Sequence, residues 1–327
     1  MLASDFVGPP ARVYPRAARF VSFGLLYGVL VPVARTFEAF GKWPEVAVRR
    51  IAKSKGTFAG YDPSPSDVFV CSFFKSGTSW MVQIAVQIAW RGQAEFANLH
   101  DAVPWPDCPP NLRTRVIPLD NPSPARQSPT GLRVIKTHYA LDKVPFDPHS
   151  RYIAVIRDPK EVCVSGYFFL RSLIFGPMMP SMSRWVDYFL SPHFEQGSWA
   201  RHVASYWAVR GEPNVLFLTY GEMKQDLPKA VLRVAELMGV SLSSAEHAQV
   251  IERSEFAWMK REGAKFDPGK LLPWSNEAPL LRNGKQGRWN EALTPEMAER
   301  IDEHCRAELR GLGCDFPFSE AFGPAET

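Results

Sequence analysis

The chain has 327 residues, of which 46% are hydrophobic and 22% are charged, a composition typical of a folded globular protein. This excludes a disordered chain, a fibrous repeat and a polytopic membrane protein. The 38 basic residues exceed the 34 acidic ones by 38 − 34 = 4, an excess too small to indicate nucleic acid as a partner. The five cysteines are odd in number and form no C-x-x-C pair. This favours a reducing compartment, the cytoplasm, over a disulfide framework or a structural zinc site.

An apolar window near the amino terminus, at residues 20–34, follows Arg12, Arg16 and Arg19. Its 15 residues are fewer than the roughly 20 that a membrane-spanning helix needs, and two glycines and a proline interrupt it. We predict that residues 1–55 form an apolar and basic extension whose helix packs on the substrate side of the main domain. A helix at a membrane surface, or a signal or anchor, is the alternative interpretation.

Four apolar, β-branched-rich runs predict strands that are buried on both faces. They occupy residues 67–74, 132–136, 152–156 and 215–219. Helical periods follow the first and the fourth run, and alternating strands and helices are typical of an α/β fold. We therefore predict a single domain at residues 56–320, with a central parallel sheet flanked by helices, and a short tail at 321–327.

Glycine and proline mark where the predicted helices begin and end. The period after the first run extends from Trp80 to Arg91, the period after the fourth run ends at Gly239, and a late helix begins at Pro295. Eight of the thirty residues at 101–130 are proline, which predicts an irregular insertion rather than a core element.

The first predicted strand leads directly into a glycine turn and a helix start, with the sequence KSGTSW at residues 75–80. In this arrangement successive backbone N–H groups point at one anion. Gly77 permits the positive φ of the turn, Thr78 and Ser79 add hydroxyl donors, and Lys75 adds a full charge. The turn is P-loop-like without being a Walker A sequence, because its lysine precedes the glycine.

Two further predicted strands end in residues suited to an anionic ligand. Lys136, Thr137 and His138 end the second, and Arg157 ends the third, with Ser165 on the helix that follows. Because ligands of open parallel sheets bind beyond the carboxyl ends of the strands, these side chains are expected to meet Lys75 at one edge.

These segments resemble the motifs of cytosolic-type sulfotransferases, which move a sulfonate from 3′-phosphoadenosine 5′-phosphosulfate (PAPS) to an acceptor hydroxyl or amine. Residues 75–80 resemble the family's 5′-phosphosulfate loop, K-S-G-T-T-W, and RDPKEV at 157–162 with Ser165 resembles its 3′-phosphate motif. The K-T-H at 136–138 matches the motif that carries the general base. RNGKQGRW at 282–289 resembles the carboxyl-terminal R-K-G-x-x-G-x-W.

The resemblance implies His138 as the general base, with Lys75 and Lys136 stabilising charge on the transferred group. It implies PAPS as the donor and adenosine 3′,5′-bisphosphate (PAP) as the product. The motifs supply lysine and arginine but no carboxylate cluster, so no metal is expected. The implied nucleotide-binding residues are Lys75, Ser76, Gly77, Thr78, Ser79, Trp80, Arg157, Ser165, Tyr220, Ser254, Phe256, Arg282, Asn283 and Gly284.

Two departures from the family pattern concern binding and assembly. Asn283 stands where the family has a lysine, which removes one charge near the nucleotide. The family's dimer segment, K-x-x-x-T-V-x-x-x-E, lacks its lysine and its valine here, where Asn290 and Pro295 stand. A homodimer of the family's kind therefore does not follow from this sequence.

The acceptor is predicted to be a small apolar molecule: a phenol, an alcohol or a lipid-like hydroxyl compound. Methionines and aromatic residues are dense at 171–190 and 257–281, which suits an adaptable apolar pocket, although a hydrophobic core has the same composition. Two other classes of function are the alternatives. One is a P-loop kinase or NTPase that uses ATP and Mg²⁺, and the other is a non-catalytic nucleotide-binding protein at a membrane surface.

Overall fold

The sheet that the sequence predicts is present in a computed structural model, which describes Ser22 and residues 24–33, 56–108, 116–267 and 287–323. Within these residues, four strands pair in the order β2-β1-β3-β4, and every neighbouring pair is parallel. The strands are β1 Asp67–Ser72, β2 Arg133–Thr137, β3 Arg151–Ile156 and β4 Val215–Thr219. The predicted α/β fold with a parallel sheet is confirmed. The first strand is shorter than predicted, because Phe73 and Phe74 already belong to the loop that follows it.

Helices follow the strands and cover both faces of the sheet. They are α1 Thr78–Ala89, α2 Ser123–Gln127, α3 Pro159–Leu170, α4 Met182–Phe189, α5 Trp199–Trp207, α6 Tyr220–Gln225, α7 Leu227–Met238, α8 Ser244–Ser254, α9 Phe256–Arg261, α10 Pro295–Gly311 and α11 Phe318–Phe322. Gly239 ends α7 in the left-handed conformation (φ 68°), and Thr294 caps the start of α10, as predicted. The helix after β1 ends before Arg91, so its predicted extension to that residue was wrong.

Alternate residues of β1 pack into separate parts of the core. Val68 and Val70 pack with helices α1 and α7 on one face, whereas Phe69 and Cys71 pack with Tyr206 on the other. Beyond the carboxyl end of the strand, a third cluster contains Phe73 and side chains of α3, α4, α5 and α10. Burial on both faces explains why the strands are almost continuously hydrophobic.

The described part of the proline-rich segment is mostly irregular, as predicted, although it contains the short helix α2, and it is not separate from the core. Its described part buries Val103, Cys108 and Ile117. The backbone N–H of Lys136 in β2 donates to the carbonyl of Pro104 at 2.9 Å, so the segment lies against the edge strand of the sheet. The prediction that this region contributes no core was therefore wrong.

The described part of the amino-terminal extension is helical, with a π-helical turn at Leu26–Leu30. Leu26 is buried, whereas Leu25, Tyr27, Val29 and Val33 are 46–58% exposed. Among the described residues, no helix has the length and the apolarity needed to cross a membrane.

Candidate functional site

The glycine turn after β1 has a conformation that only glycine fits. Gly77 has a φ of 97°, and a Cβ atom at this position would lie 2.7 Å from the Tyr220 ring. The two ends of the loop lie close together, because the hydroxyls of Ser72 and Thr78 are hydrogen-bonded at 2.5 Å. Helix α1 therefore starts directly behind the turn, with its first N–H groups directed towards the loop.

Three of the residues predicted to bind the nucleotide, Trp80, Tyr220 and Ser254, lie together beside this loop. The indole Nε1–H of Trp80 donates to the carbonyl of Ser254 at 2.7 Å. The rings of Trp80 and Tyr220 meet edge to face, with their centroids 5.4 Å apart. Burial raises the pKa of Tyr220, although the Arg157 guanidinium opposes the shift. Phe256, half-buried, begins helix α9 two residues after Ser254.

Arg157 joins the glycine turn to the helix that follows β3. Its Nη1 donates to the Lys75 carbonyl at 3.3 Å, its guanidinium carbon lies 4.4 Å from the centroid of the Tyr220 ring, and it pairs with the carboxylate of Glu161. That carboxylate also accepts the backbone N–H of Gly287, from the carboxyl-terminal motif. Ser165 lies four residues, about one turn, after Glu161 on α3.

Arg157 and Glu161 thus connect three of the four sequence motifs: the glycine turn at 75–80, the segment at 157–162 and the end of the carboxyl-terminal motif at Gly287. Of the carboxyl-terminal motif, Arg282, Asn283 and Gly284 lie outside the described residues. The contact between Gly287 and Glu161 shows that this motif returns to the helix that carries Ser165.

Buried polar atoms test whether the residues at this site fit a nucleotide. Ser76 and Ser254 are fully buried, and within the described part of the chain their hydroxyl oxygens have no hydrogen-bond partner. The Nε of Arg157 is likewise unpartnered there. Buried polar groups without partners are costly. A ligand that carries phosphates and a heterocycle supplies such partners, so the residues fit PAPS.

His138 follows β2 and is oriented by the end of β1. Its Nδ1 lies 2.9 Å from the carbonyl oxygen of Ser72. Because a carbonyl only accepts hydrogen bonds, Nδ1 carries the proton, and Nε2 is the basic nitrogen of the neutral ring. The parallel register, in which Cys71 pairs with Thr137, produces this contact.

Two lysines lie near His138, each against an aromatic ring. Lys136 is buried, and its Nζ lies 3.5 Å from the centroid of the Trp105 ring. Burial lowers the pKa of Lys136 to about 8, although Cys108 and Asp107 favour the charged form. The Nζ of Lys75 lies 4.1 Å from the centroid of the Phe169 ring. Lys136 is therefore held in a largely desolvated position, where its charge acts strongly, whereas Lys75 is half-buried.

Three aromatic residues form a wall around the base. The ring centroids of Phe74 and Trp105 lie 6.4 and 5.5 Å from that of His138, and Phe169 packs against Phe74. Sequence reasoning identified neither Trp105 nor the neighbouring Asp107, because both lie in the proline-rich segment. Of the predicted lining at 171–190, Phe175, Met179 and Trp185 are buried in the hydrophobic cluster that also contains Phe74.

A family model for the sulfotransferase domain matches residues 65–313. The chain belongs to the sulfotransferase family. The predicted activity, transfer of a sulfonate from PAPS to a small acceptor, is confirmed. The motif-bearing strands and loops described above all lie within the matched residues.

Individual sulfotransferases resemble the chain over most of its length. Sulfotransferase 1C2 of Oryctolagus cuniculus is 26% identical over 282 residues, covering 81% of this chain and 90% of that protein. Sulfotransferase 1A1 of Mus musculus is 28% identical over 285 residues, covering 83% and 93%. The structure of mouse sulfotransferase SULT7A1 complexed with PAP has a TM-score of 0.59 at 23% identity, covering 81% of this chain and 91% of that chain. This last likeness shows the shared fold.

Proposed function

We propose that this sulfotransferase uses His138 as a general base to transfer the sulfonate of PAPS in line to the hydroxyl of a small apolar acceptor. The orientation of His138 carries the proposal. Its Nδ1–H is committed to the Ser72 carbonyl, and its Nε2 is the nitrogen that accepts a proton. The ring contacts Trp105, against which Lys136 packs, and Phe74, which packs against Phe169, the ring beside Lys75. These residues lie at the carboxyl edge, where parallel sheets bind ligands.

When bound, PAPS supplies the sulfonate on a phosphate leaving group. Lys75, beside the glycine turn, stabilises negative charge on the leaving phosphate oxygen, and Lys136 stabilises charge on the equatorial sulfonate oxygens. His138 takes the proton of the acceptor hydroxyl at Nε2. The nucleotide-binding role extends to the glycine turn, to Arg157 and Ser165, and to the adenine contacts of Trp80 and Tyr220.

An apolar acceptor is supported by the surroundings of the base. Phe74, Trp105 and Phe169 present aromatic surface around His138. Aromatic walls with few polar groups are typical of sites for phenols, alcohols and lipid-like hydroxyl compounds. A panel of such acceptors against sugars, assayed with labelled PAPS, tests this preference. Higher turnover with sugars would contradict it.

The base is tested by His138→Ala with labelled PAPS and the best acceptor of the panel. Turnover should fall by roughly 10²–10⁴-fold, the usual contribution of positioned acid–base catalysis, while PAP affinity stays within a few-fold of wild type. His149→Ala, at an exposed histidine, is the matched control and should leave both unchanged. Turnover of His138→Ala within a few-fold of wild type would contradict the role. Titration with ATP and Mg²⁺ tests the kinase alternative, because a kinase should bind ATP more tightly than it binds PAP.

For the amino-terminal extension of this cytoplasmic enzyme we propose contact with a membrane surface. The support is the half-exposed apolar set Leu25, Tyr27, Val29 and Val33, together with the charge of residues 1–55. That segment contains nine basic and three acidic residues, 9 − 3 = +6, whereas the whole chain carries +4. Basic segments with an apolar helix face bind anionic bilayers.

Removal of residues 1–44 tests this contact. The full chain should sediment with phosphatidylserine-containing vesicles, and the truncated chain should stay in solution with unchanged acceptor kinetics. If the truncated chain instead loses acceptor use while retaining PAP binding, the extension packs over the acceptor site, as predicted from the sequence, and the membrane proposal is wrong.

A further inference from the structure

A buried carboxylate lies directly behind the proposed base. Asp107 is 1% exposed, and its Oδ2 accepts the backbone N–H of His138 at 2.9 Å. Three residues earlier, the carbonyl of Pro104 accepts the backbone N–H of Lys136 at 2.9 Å. The segment from 104 to 107 therefore holds the K-T-H motif at both of its ends, and its only carboxylate contacts the residue that carries the base.

The same carboxylate lies in the electrostatic environment of Lys136. Of the described titratable groups, those that favour the charged form of Lys136 are the Cys108 thiol, with the larger effect, and the Asp107 carboxylate. Both belong to the proline-rich segment. On the opposite side of β2, the neighbouring strand β1 places the apolar Val70 beside Lys136. Burial opposes the charge of Lys136, and Asp107 is the neighbour with a full opposite charge.

We propose that Asp107 is a positioning residue for sulfonate transfer, which fixes the backbone of His138 and keeps Lys136 charged. The inference rests on the proposed function, since it assumes that His138 and Lys136 act in the transfer. Asp107 itself lies behind the strand end and acts through these two residues. None of the four sequence motifs contains it.

Two variants separate the two parts of this role. In Asp107→Asn the carboxamide oxygen still accepts the His138 N–H, but the negative charge is gone. Lys136 then loses its proton at a lower pH, so the alkaline limb of kcat/KM for PAPS, which reports on the free enzyme, should move to lower pH. In Asp107→Ala the hydrogen bond is lost as well, and kcat should fall by roughly 10²-fold at every pH, as is usual when a catalytic group is misplaced.

Asp67→Asn is the matched control. Asp67 is an equally buried carboxylate, paired with Arg133 at the amino end of β1, far along the strand from the site. It should lower the melting temperature without moving the pH profile. If Asp107→Asn also lowers only the melting temperature and leaves the alkaline limb of kcat/KM for PAPS unchanged, and if Asp107→Ala leaves kcat unchanged, Asp107 is merely structural and the inference is wrong. Asp107→Glu, which restores the charge, should bring back the alkaline limb.

A measurement on the wild-type chain needs no variant to fold. The His138 amide, held by a buried carboxylate, should exchange its hydrogen slowly, and exchange at the rate of an open amide would overturn the inference. Failure of the proposed function is a separate result. It would show as a wild-type enzyme that transfers no sulfonate, or as an active His138→Ala variant, whereas failure of this inference alone leaves both of those results as expected.

Discussion

Replacement of Arg157 by alanine should weaken PAP far more than adenosine 5′-monophosphate, which lacks the 3′-phosphate. Arg157 lies at the end of β3, with its guanidinium over the Tyr220 ring and its Nε without a partner among the described residues. Charge-assisted hydrogen bonds of this kind contribute about 1.5–3 kcal/mol each. One such contact to the 3′-phosphate therefore corresponds to a loss of roughly 10- to 150-fold in PAP affinity.

The free protein adds a second cost, which must be separated from the first. Arg157 is 15% exposed and Glu161 7% exposed, so the variant leaves a largely buried carboxylate whose remaining partner among the described residues is the Gly287 N–H. Breaking a buried pair costs about 3–5 kcal/mol, so stability should fall by up to that amount. The double variant Arg157→Ala/Glu161→Gln removes the unpaired charge and should recover much of the stability but not the PAP affinity.

Titration calorimetry with the two nucleotides gives the affinities, and thermal unfolding gives the stability. Arg210→Ala serves as the control, because Arg210 is an exposed arginine on the Trp207 ring, paired with Asp315. It should change neither affinity. Equal losses of PAP and adenosine 5′-monophosphate affinity in Arg157→Ala would refute the assignment and place Arg157 away from the 3′-phosphate.

Two further substitutions test the loop and the core. Gly77→Ala places a Cβ 2.7 Å from the Tyr220 ring at a φ of 97°, so PAP affinity by calorimetry should fall at least tenfold and stability by roughly 1–2 kcal/mol. The control Gly211→Ala, with no atom within 4 Å of its Cβ, should match wild type, and equal behaviour of the two variants would contradict the steric argument. Burial lowers the pKa of His202 to about 3. Its imidazole stays neutral in the folded protein, but in the unfolded chain it takes a proton below about pH 6.5. His202 therefore lowers the free energy of unfolding by about 1.4 kcal/mol for each pH unit below 6.5. His202→Phe should reduce this dependence in denaturant titrations between pH 6.5 and 4, and an unchanged slope would show that His202 is already paired or hydrated.

The parallel sheet and the phosphate loop were predictable because both leave local signals. The strands are buried on both faces and are therefore almost continuously apolar, as in β1 and β3. Lys75 and Gly77 stand only two residues apart in the sequence, so the turn was visible without knowledge of the fold. The left-handed glycine at the end of α7 was a similar local signal.

The surroundings of the base were not predictable, because they depend on contacts between distant segments. Asp107 meets His138 across 31 residues of sequence, and Trp80 meets Ser254 across 174. Proline density indicated an irregular segment at 101–130, where the structure has only the short helix α2 among the described residues. It carried no information about where Trp105 would pack. Composition alone also left the role of 171–190 open, since methionines and aromatic residues suit a pocket and a core equally well.

The contact between Pro104 and Lys136 also affects how the protein behaves at high concentration. β2 is an edge strand, and unpaired N–H and C=O groups along such an edge attract strands of other chains. Here the Lys136 N–H is already bonded to Pro104, within a segment whose prolines lack the N–H groups needed to continue a ladder. Loosening this segment, by proteolysis or by deletion, would therefore uncover an aggregation-prone edge.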